Sequence, residues 1–350
     1  MKKLIPPKKL NSGDKIAVVS LSWGGPGTYP YRYEVGKERL ESLFGLEVLA
    51  SPHALKDPIW IYQHPEARAR DLMEAFLDPT VKGIFSSIGG DDSIRLLPYI
   101  DYDIIRRNPK IFLGYSDSTV THFMCVKAGI TSFYGPAVLT AFAENVSMHD
   151  YSIRGIKDTL FSNKVIDHLP LPGEGWTKEF LDWNDPANQN RRRKLHAYSE
   201  WSFIGCTNTV VQGRLVGGCV EVLQMMNATE LWPSLDVWDE CVLFLETSEE
   251  GMSPLLLKRF LRNMASQGIL QKVSGILFSK PGGADVVFSQ FSGYDDVLLE
   301  VFNEFQIPLI PIVTNMDFGH SDPMWTLPYG ILTEINPIAK TVRLLESGVS

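Results

Sequence analysis

In the first third of the chain, short apolar runs alternate with helix-patterned stretches, and that rhythm leaves few folds open. Lys15 to Ser20 (K-I-A-V-V-S), Glu47 to Ala50, Lys82 to Ile88 (K-G-I-F-S-S-I) and Ile111 to Leu113 read as buried strands, short and bounded by turn residues. Between them lie a glycine-rich loop from Trp23 to Gly27, helical spacing through Leu40 and Phe44, a helix from Pro65 to Leu77, and a further helix carrying Ile94 and Leu97. Strands and helices in alternation imply an α/β fold, a parallel sheet with helices on both faces whose ligands bind at the carboxyl ends of the strands. Gly89-Gly90 and Ser116 both fall on that edge.

Ser116 stands at the bend between the run Ile111–Leu113 and a helical stretch with Val120, Phe123 and Met124 at helical spacing. Asp117 or Ser118 can cap its first turn, and Gly129 can stop it. A hydroxyl at such a bend projects from the sheet edge, and the amide of Asp117 points from the helix start towards any oxyanion formed there. That is the geometry of a nucleophile. Serine is equally a common helix cap, and G-Y-S-D lacks the second glycine of G-x-S-x-G.

The stretch Gly89-Gly90-Asp91-Asp92 matches neither G-x-G-x-x-G nor a P-loop. Glycine here permits close backbone approach, so an amide near Gly90 is a candidate second oxyanion donor beside that of Asp117. Asp91 is a candidate contact for substrate, and Asp91 or Asp92 alternatively caps the helix that follows.

From Leu169 to Glu200 the texture becomes polar and rich in proline, glycine and asparagine, as in a segment that joins domains or covers a site. The expected division is therefore 1–165 for a domain carrying the nucleophile, 166–200 for the connecting segment and 201–350 for a second domain. Trp176 and Trp183 lie in the connection. Each either anchors it or, exposed over a pocket, offers a flat stacking face. In the second domain Gly217-Gly218 is expected to turn the chain before an apolar helix. Cys241 to Leu245 reads as a buried strand closing on Glu246, and Leu309 to Val313 as a strand leading into F-G-H-S-D-P-M-W-T-L-P-Y-G.

A net charge of −8 argues against a nucleic-acid surface, and the one basic cluster, Arg191 to Lys194, reads as a solvated loop. No apolar run approaches a membrane span or a signal peptide, so a cytoplasmic protein with no membrane partner is expected. The four cysteines are scattered through apolar segments and the seven histidines lack metal-ligand spacing. Neither a disulfide framework, a metal nor a cofactor is expected.

A serine nucleophile needs a base, and the base needs an acceptor that fixes its tautomer. His320 follows Gly319 after an apolar strand, in a loop held by Pro323, Pro328 and Gly330. His122 lies six positions beyond Ser116, on the wrong side of the helix, and reads as core. Glu246 closes a strand and is the matching acid, whereas Glu249 and Glu250 read as solvated loop charges.

The blocks S-I-G-G-D-D-S-I-R-L-L-P-Y-I-D, G-Y-S-D-S-T-V-T-H, F-Y-G-P, G-R-L-V-G-G, L-F-L-E-T-S-E-E and F-G-H-S-D-P-M-W-T-L-P-Y-G run through nearly the whole chain. In that combination and order the sequence resembles the LD-carboxypeptidase family of serine peptidases, which includes muramoyl-tetrapeptide carboxypeptidases and microcin C immunity peptidases. G-G-D-D is similar to the microcin-immunity branch; the cell-wall branch more typically carries R-G-G-Y-G. The resemblance implies a doubly wound N-terminal domain like that of class I glutamine amidotransferases, followed by a smaller swivelling β/β/α-type domain. It implies a Ser-His-Glu triad of Ser116, His320 and Glu246, oxyanion amides at Gly90 and Asp117, and a homodimer. The substrate it implies is a small peptide or peptidyl-nucleotide, with Trp183, or alternatively Trp176, stacked on adenine. A cell-wall LD-tetrapeptide is the alternative substrate, and a non-catalytic two-domain binding protein the alternative of another class. Where many relatives read L-E-D this chain reads L-E-T, which puts the support of Glu246 at Thr247 in question.

Overall fold

The computed structural model describes residues 1–350. Thirteen strands form two sheets. The first contains β1 (Lys15–Val19), β2 (Glu47–Ala50), β3 (Val81–Ser86), β4 (Ile111–Gly114) and β5 (Phe133–Tyr134). Its order is β5-β4-β3-β1-β2, all parallel, with the chain reversing direction across the sheet at β1 and β3. The period-two alternation of these strands explains why both faces are covered. Ile16 and Val18 pack on one side with Leu40 and Phe44 of the helix Pro30–Phe44. Ala17 and Val19 pack on the other with Leu72 and Phe76 of the helix Pro65–Leu77. Each large apolar side chain so buried contributes about 1.5–3 kcal/mol, so a one-residue slip in β1 would exchange both faces at once.

The second sheet is mixed. It takes in β6 (Ser202–Gly205), β7 (Val211–Cys219), β8 (Cys241–Glu246), β9 (Gly275–Ser279) and β10 (Pro311–Met316), and later β12 (Leu332–Asn336) and β13 (Thr341–Leu344). Strands β7 to β10 are parallel; β6 pairs antiparallel with β10, β12 antiparallel with β7, and β13, at the far edge, antiparallel with β12. The intervening β11 (Leu327–Pro328) leaves this sheet and pairs with β5 of the first. The C-terminal stretch thus straddles the two sheets, a crossing that a division into 1–165 and 201–350 does not contain.

Three local expectations need correction. Gly217 and Gly218 make no turn but lie inside β7. A Cβ at Gly217 would stand 1.7 Å from the Phe244 carbonyl oxygen, and one at Gly218 would stand 2.6 Å from Thr119 Cγ2, so both glycines serve close approach. The helix carrying Ile94 and Leu97 is a 3₁₀ segment, Ser93–Tyr99. Neither Asp117 nor Ser118 caps the helix Thr119–Ala128 with its side chain. A 3₁₀ turn, Ser116–Ser118, precedes that helix, and the Asp117 carboxylate instead accepts the Ser93 amide at 2.9 Å. Gly129 ends the helix in the left-handed conformation, φ 85°. No helix is long and apolar enough to cross a membrane.

Candidate active site

Strand β4 delivers the chain to Ser116 at the carboxyl edge of the first sheet. Ser116 has φ 60°, a left-handed backbone that non-glycine residues rarely adopt and that stores strain. Three hydrogen bonds hold that turn. The Ser116 amide donates to Tyr134 Oη at 3.0 Å, Thr119 Oγ1 donates to the Ser116 carbonyl at 2.7 Å, and the Cys219 amide donates to Thr119 Oγ1 at 3.2 Å. Glycine at 89 is required by the neighbouring loop: a Cβ there would sit 2.9 Å from Ser116 Cβ and 3.5 Å from the Asp117 nitrogen.

The second sheet supplies the other two side chains. Glu246, fully buried, ends β8, and His320 lies in the loop after β10. His320 Nδ1 is 2.7 Å from Glu246 Oε2, and its Nε2 is 3.1 Å from Ser116 Oγ. Gly319 makes this possible, because a Cβ there would lie 2.6 Å from Glu246 Cδ and its φ is 77°. The remaining carboxylate oxygen, Glu246 Oε1, accepts Tyr134 Oη at 2.5 Å. One phenol therefore connects the carboxylate to the serine backbone. The structure thus brings together Ser116, His320 and Glu246, residues distant in sequence and carried by different sheets.

Burial disfavours charge on His320, but the carboxylates of Glu246 and Glu249 outweigh it and hold the imidazole pKa well above its ordinary value. His122, by contrast, is wholly buried between Ser132 Oγ and the Gly114 carbonyl, each at 2.9 Å. Desolvation lowers its pKa to about 3, and it is the neutral core histidine anticipated from its position.

Glu249 departs from expectation. Its side chain is 75% exposed, yet its Oε2 reaches 2.9 Å from His320 Nε2, the same nitrogen that faces Ser116. The run Arg191–Lys194 is likewise not uniformly solvated, since Arg193 is pinned between Glu144 and Asp322. Thr247, next to Glu246, accepts the Gly282 amide at 2.9 Å and so braces the adjacent loop.

Above Ser116 lies a cavity of about 420 Å³, whose lining includes Gly90, His320, Glu249, Trp183, Arg32 and Lys178. Gly90 has φ 146°, and its amide donates to no protein acceptor. Asp117 opens a helical turn, where the first amides have no intrahelical partner. Trp183 meets Tyr29 edge-on at 5.6 Å, and the Arg32 guanidinium stands 4.2 Å from its ring centroid. Arg32 is held by the Leu139 carbonyl, Asn145 and Gln189, with burial lowering its pKa to about 10. Lys178 donates to the carbonyls of Pro281 and Val286, and desolvation lowers its pKa to about 8. Neither cation has a carboxylate within salt-bridge distance.

Two candidates lie outside this cavity. Trp176 is buried, 3% exposed, and stacks on His196 at 4.5 Å while packing on Phe291, so it anchors the connecting segment. Asp91 is exposed and does not line the cavity. Its neighbour Asp92 is taken up by Arg68 and Arg95. Sequence reading missed Tyr134, Arg32, Lys178 and Glu144. Of these only Tyr134 carried a signal, its place in the F-Y-G-P block.

A serine at a strained strand-to-helix bend, with a histidine and a buried acid brought from a second sheet, defines a serine hydrolase constellation. Sequence comparison agrees: the LD-carboxypeptidase N-terminal domain matches residues 16–135, and the LD-carboxypeptidase C-terminal domain matches residues 212–335. The chain belongs to the LD-carboxypeptidase family and is a serine peptidase. It is 31% identical to the microcin C7 self-immunity protein MccF of Escherichia coli, over 97% of this chain and 95% of that one. A solved structure of that protein in complex with aspartyl sulfamoyl adenosine superposes with a TM-score of 0.88 at 30% identity, covering 99% of this chain and 100% of the other. An MccF-like protein from Streptococcus pneumoniae in complex with AMP gives 0.84 at 32% identity, covering 95% and 98%.

Proposed function

We propose that this chain hydrolyses an amide-type bond joining an aminoacyl or peptidyl group to a nucleotide. Ser116 is the nucleophile, His320 the base and then the acid, and Glu246 the carboxylate that orients the imidazole. The observation that carries the reading is that Ser116 and the indole of Trp183 line one cavity, together with two cations that have no carboxylate within salt-bridge distance. An aromatic face takes a base, and unpaired cations take a phosphate or its sulfamate equivalent.

In this reading Ser116 Oγ attacks the acyl carbon as His320 Nε2 accepts its proton. The amides of Gly90 and Asp117 receive the developing oxyanion. Collapse breaks the acyl–nitrogen bond, and the proton on Nε2 passes to the departing nitrogen. A water, deprotonated by the same Nε2, then attacks the seryl ester, releasing the acid and restoring Ser116. Glu246 keeps Nδ1 protonated throughout and stabilises the imidazolium.

The test is a substrate panel on purified protein, comparing aminoacyl-sulfamoyl adenosines with a cell-wall LD-tetrapeptide, alongside labelling by a fluorophosphonate. Cleavage of the nucleoside compounds and a single adduct that disappears in Ser116→Ala support the proposal. Preference for the tetrapeptide would move the chain to peptidoglycan chemistry. A folded protein that forms no adduct would be a binding protein, not a hydrolase.

A further inference from the structure

We propose that Cys219, Glu246 and His320 form a site for Zn²⁺, and that an ion bound there silences the enzyme by taking the ring nitrogen opposite the one that serves Ser116. The inhibition rests on the preceding assignment of Ser116 and His320; the binding does not.

No spacing in the sequence marks this site, because its ligands come from three elements: Cys219 ends β7, Glu246 ends β8, and His320 lies in the loop after β10. One ligand atom of each, the thiol sulfur, a carboxylate oxygen and a ring nitrogen, lies within 4.8 Å of the other two. Zinc bonds of about 2.0–2.3 Å place tetrahedral ligand atoms roughly 3.3–3.8 Å apart, so side-chain shifts of about an ångström close the set. Thiolate, imidazole and carboxylate are the donors zinc takes, and three of them leave a fourth position for water.

The two acidic ligands are also backed by partners that fit them for the ion. Tyr134 Oη donates to Glu246 Oε1 at 2.5 Å, which leaves Oε2, the oxygen 2.7 Å from His320 Nδ1, as the ligand atom. The Cys219 thiol donates to Glu221 Oε2 at 3.2 Å, so an acceptor for its proton is already in place. Glu221 is itself held by Ser248, whose amide and hydroxyl both donate to Oε1 at 3.0 Å. The thiolate of Cys219 and the carboxylate of Glu246 match the two charges of the ion, so the buried set carries no net charge.

Zinc on Nδ1 replaces the proton there, which leaves to water from a charged ring and moves to Nε2 in a neutral one; the thiol proton passes to Glu221. Nothing is oxidised or reduced. The metallated imidazole then carries its one proton on Nε2 and has no lone pair with which to take that of Ser116 Oγ, 3.1 Å away. Cys219 and Glu246 are wholly buried, and of the three ligands His320 alone lines the cavity. The ion therefore enters past that ring, and inhibition builds up over time.

The experiment uses purified protein stripped with a chelator and then incubated with Zn²⁺ or Co²⁺. In wild type zinc is expected to slow turnover by about tenfold or more and to suppress fluorophosphonate labelling of Ser116 in step, both restored by chelator, and cobalt is expected to give a thiolate-to-metal charge-transfer band. Cys219→Ser is expected to lose the band and to need about tenfold or more extra zinc for half-inhibition, since even loss of a residue that only backs a ligand costs about 10- to 100-fold in affinity. Cys206→Ser, a change at the cysteine that is not buried, is expected to keep both responses. Glu221→Gln removes the proton acceptor but no ligand; it is expected to weaken zinc in the same direction and supplies the comparison if Cys219→Ser does not fold. Wild type indifferent to zinc, a cobalt band that survives in Cys219→Ser, or equal inhibition of wild type and both variants overturns the site. A stripped wild type that neither turns over nor labels, yet gives the band through Cys219, would instead remove the hydrolase assignment and leave the metal site standing.

Discussion

The phenol of Tyr134 is the most exposed point of the site to a single-atom perturbation. Its oxygen accepts the Ser116 amide at 3.0 Å and donates to Glu246 Oε1 at 2.5 Å, in a residue with no solvent exposure. Tyr134→Phe deletes that oxygen and little else. The Ser116 amide is then a buried donor without a partner, at a cost of about 1–3 kcal/mol, and the carboxylate loses a charge-assisted bond of about 1.5–3 kcal/mol. The two losses share one atom and are not additive, so the expected destabilisation is about 3 kcal/mol, within the usual 5–15 kcal/mol margin. The variant should fold. Catalysis suffers differently, because the strained φ at Ser116 loses a restraint and Glu246, less satisfied, pulls the imidazole further towards its charged form. Since a protonated imidazole is no base, the acid limb of kcat/KM should move to higher pH. Because Tyr134 does not line the cavity, kcat should fall tenfold or more with KM nearly unchanged. Urea unfolding gives the stability, and a pH series of initial rates gives the rest. Wild-type stability together with wild-type kcat would refute the idea that the bridge couples acid and nucleophile.

Trp183→Ala should raise KM for a nucleoside substrate by on the order of ten- to a hundredfold, from about 1–3 kcal/mol of base stacking, and leave a base-free substrate unaffected. Equal KM values for the nucleoside substrate in wild type and variant would remove the stacking role. Glu246→Gln should depress kcat severely while preserving the fold, by disturbing the tautomer and charge balance of His320; near-normal turnover would move the orienting acid elsewhere. His122 is neutral when folded because its pKa is lowered to about 3, so the stability it confers is present above its unfolded value of about 6.5 and is lost as pH falls towards 3. His122→Gln should therefore flatten the decline in urea stability between those limits, and an unchanged slope would show that other groups cause it.

How much of this was legible before the structure depends on whether the signal was local. Strands β1 to β4 could be read because they are apolar runs closed by turn residues, and Glu47–Ala50 and Pro65–Leu77 agree residue for residue. Gly217-Gly218 misled because the same residue type serves a tight turn or a close approach. Only the Phe244 carbonyl and Thr119, distant in sequence, decide between them. Trp176 and Trp183 share a segment and a composition, yet one is an anchor on His196 and the other lines the cavity. Arg193 and Glu249 were read as solvated because charge in a loop usually is; their partners, Glu144, Asp322 and His320, lie up to 129 positions away.

The seam between the sheets explains why these distant choices are consistent. Ser116 belongs to the first sheet and the proposed acid and base, Glu246 and His320, to the second, so the geometry of the candidate site depends on how closely β7 approaches the start of the helix Thr119–Ala128. Gly218 allows that approach, and the Cys219 amide then bonds Thr119 Oγ1, which itself bonds the Ser116 carbonyl. From the other direction Tyr134 Oη ties the Ser116 amide to Glu246. Both backbone polar groups of Ser116 are therefore satisfied through contacts that end in the second sheet. A left-handed serine is unfavourable by about 1–3 kcal/mol on its own; the two bonds that offset it come from Thr119 and Tyr134 on the first-sheet side, and the second sheet in turn engages both of these side chains through Cys219 and Glu246. Docking of the two sheets thus fixes the two side chains that restrain the proposed nucleophile.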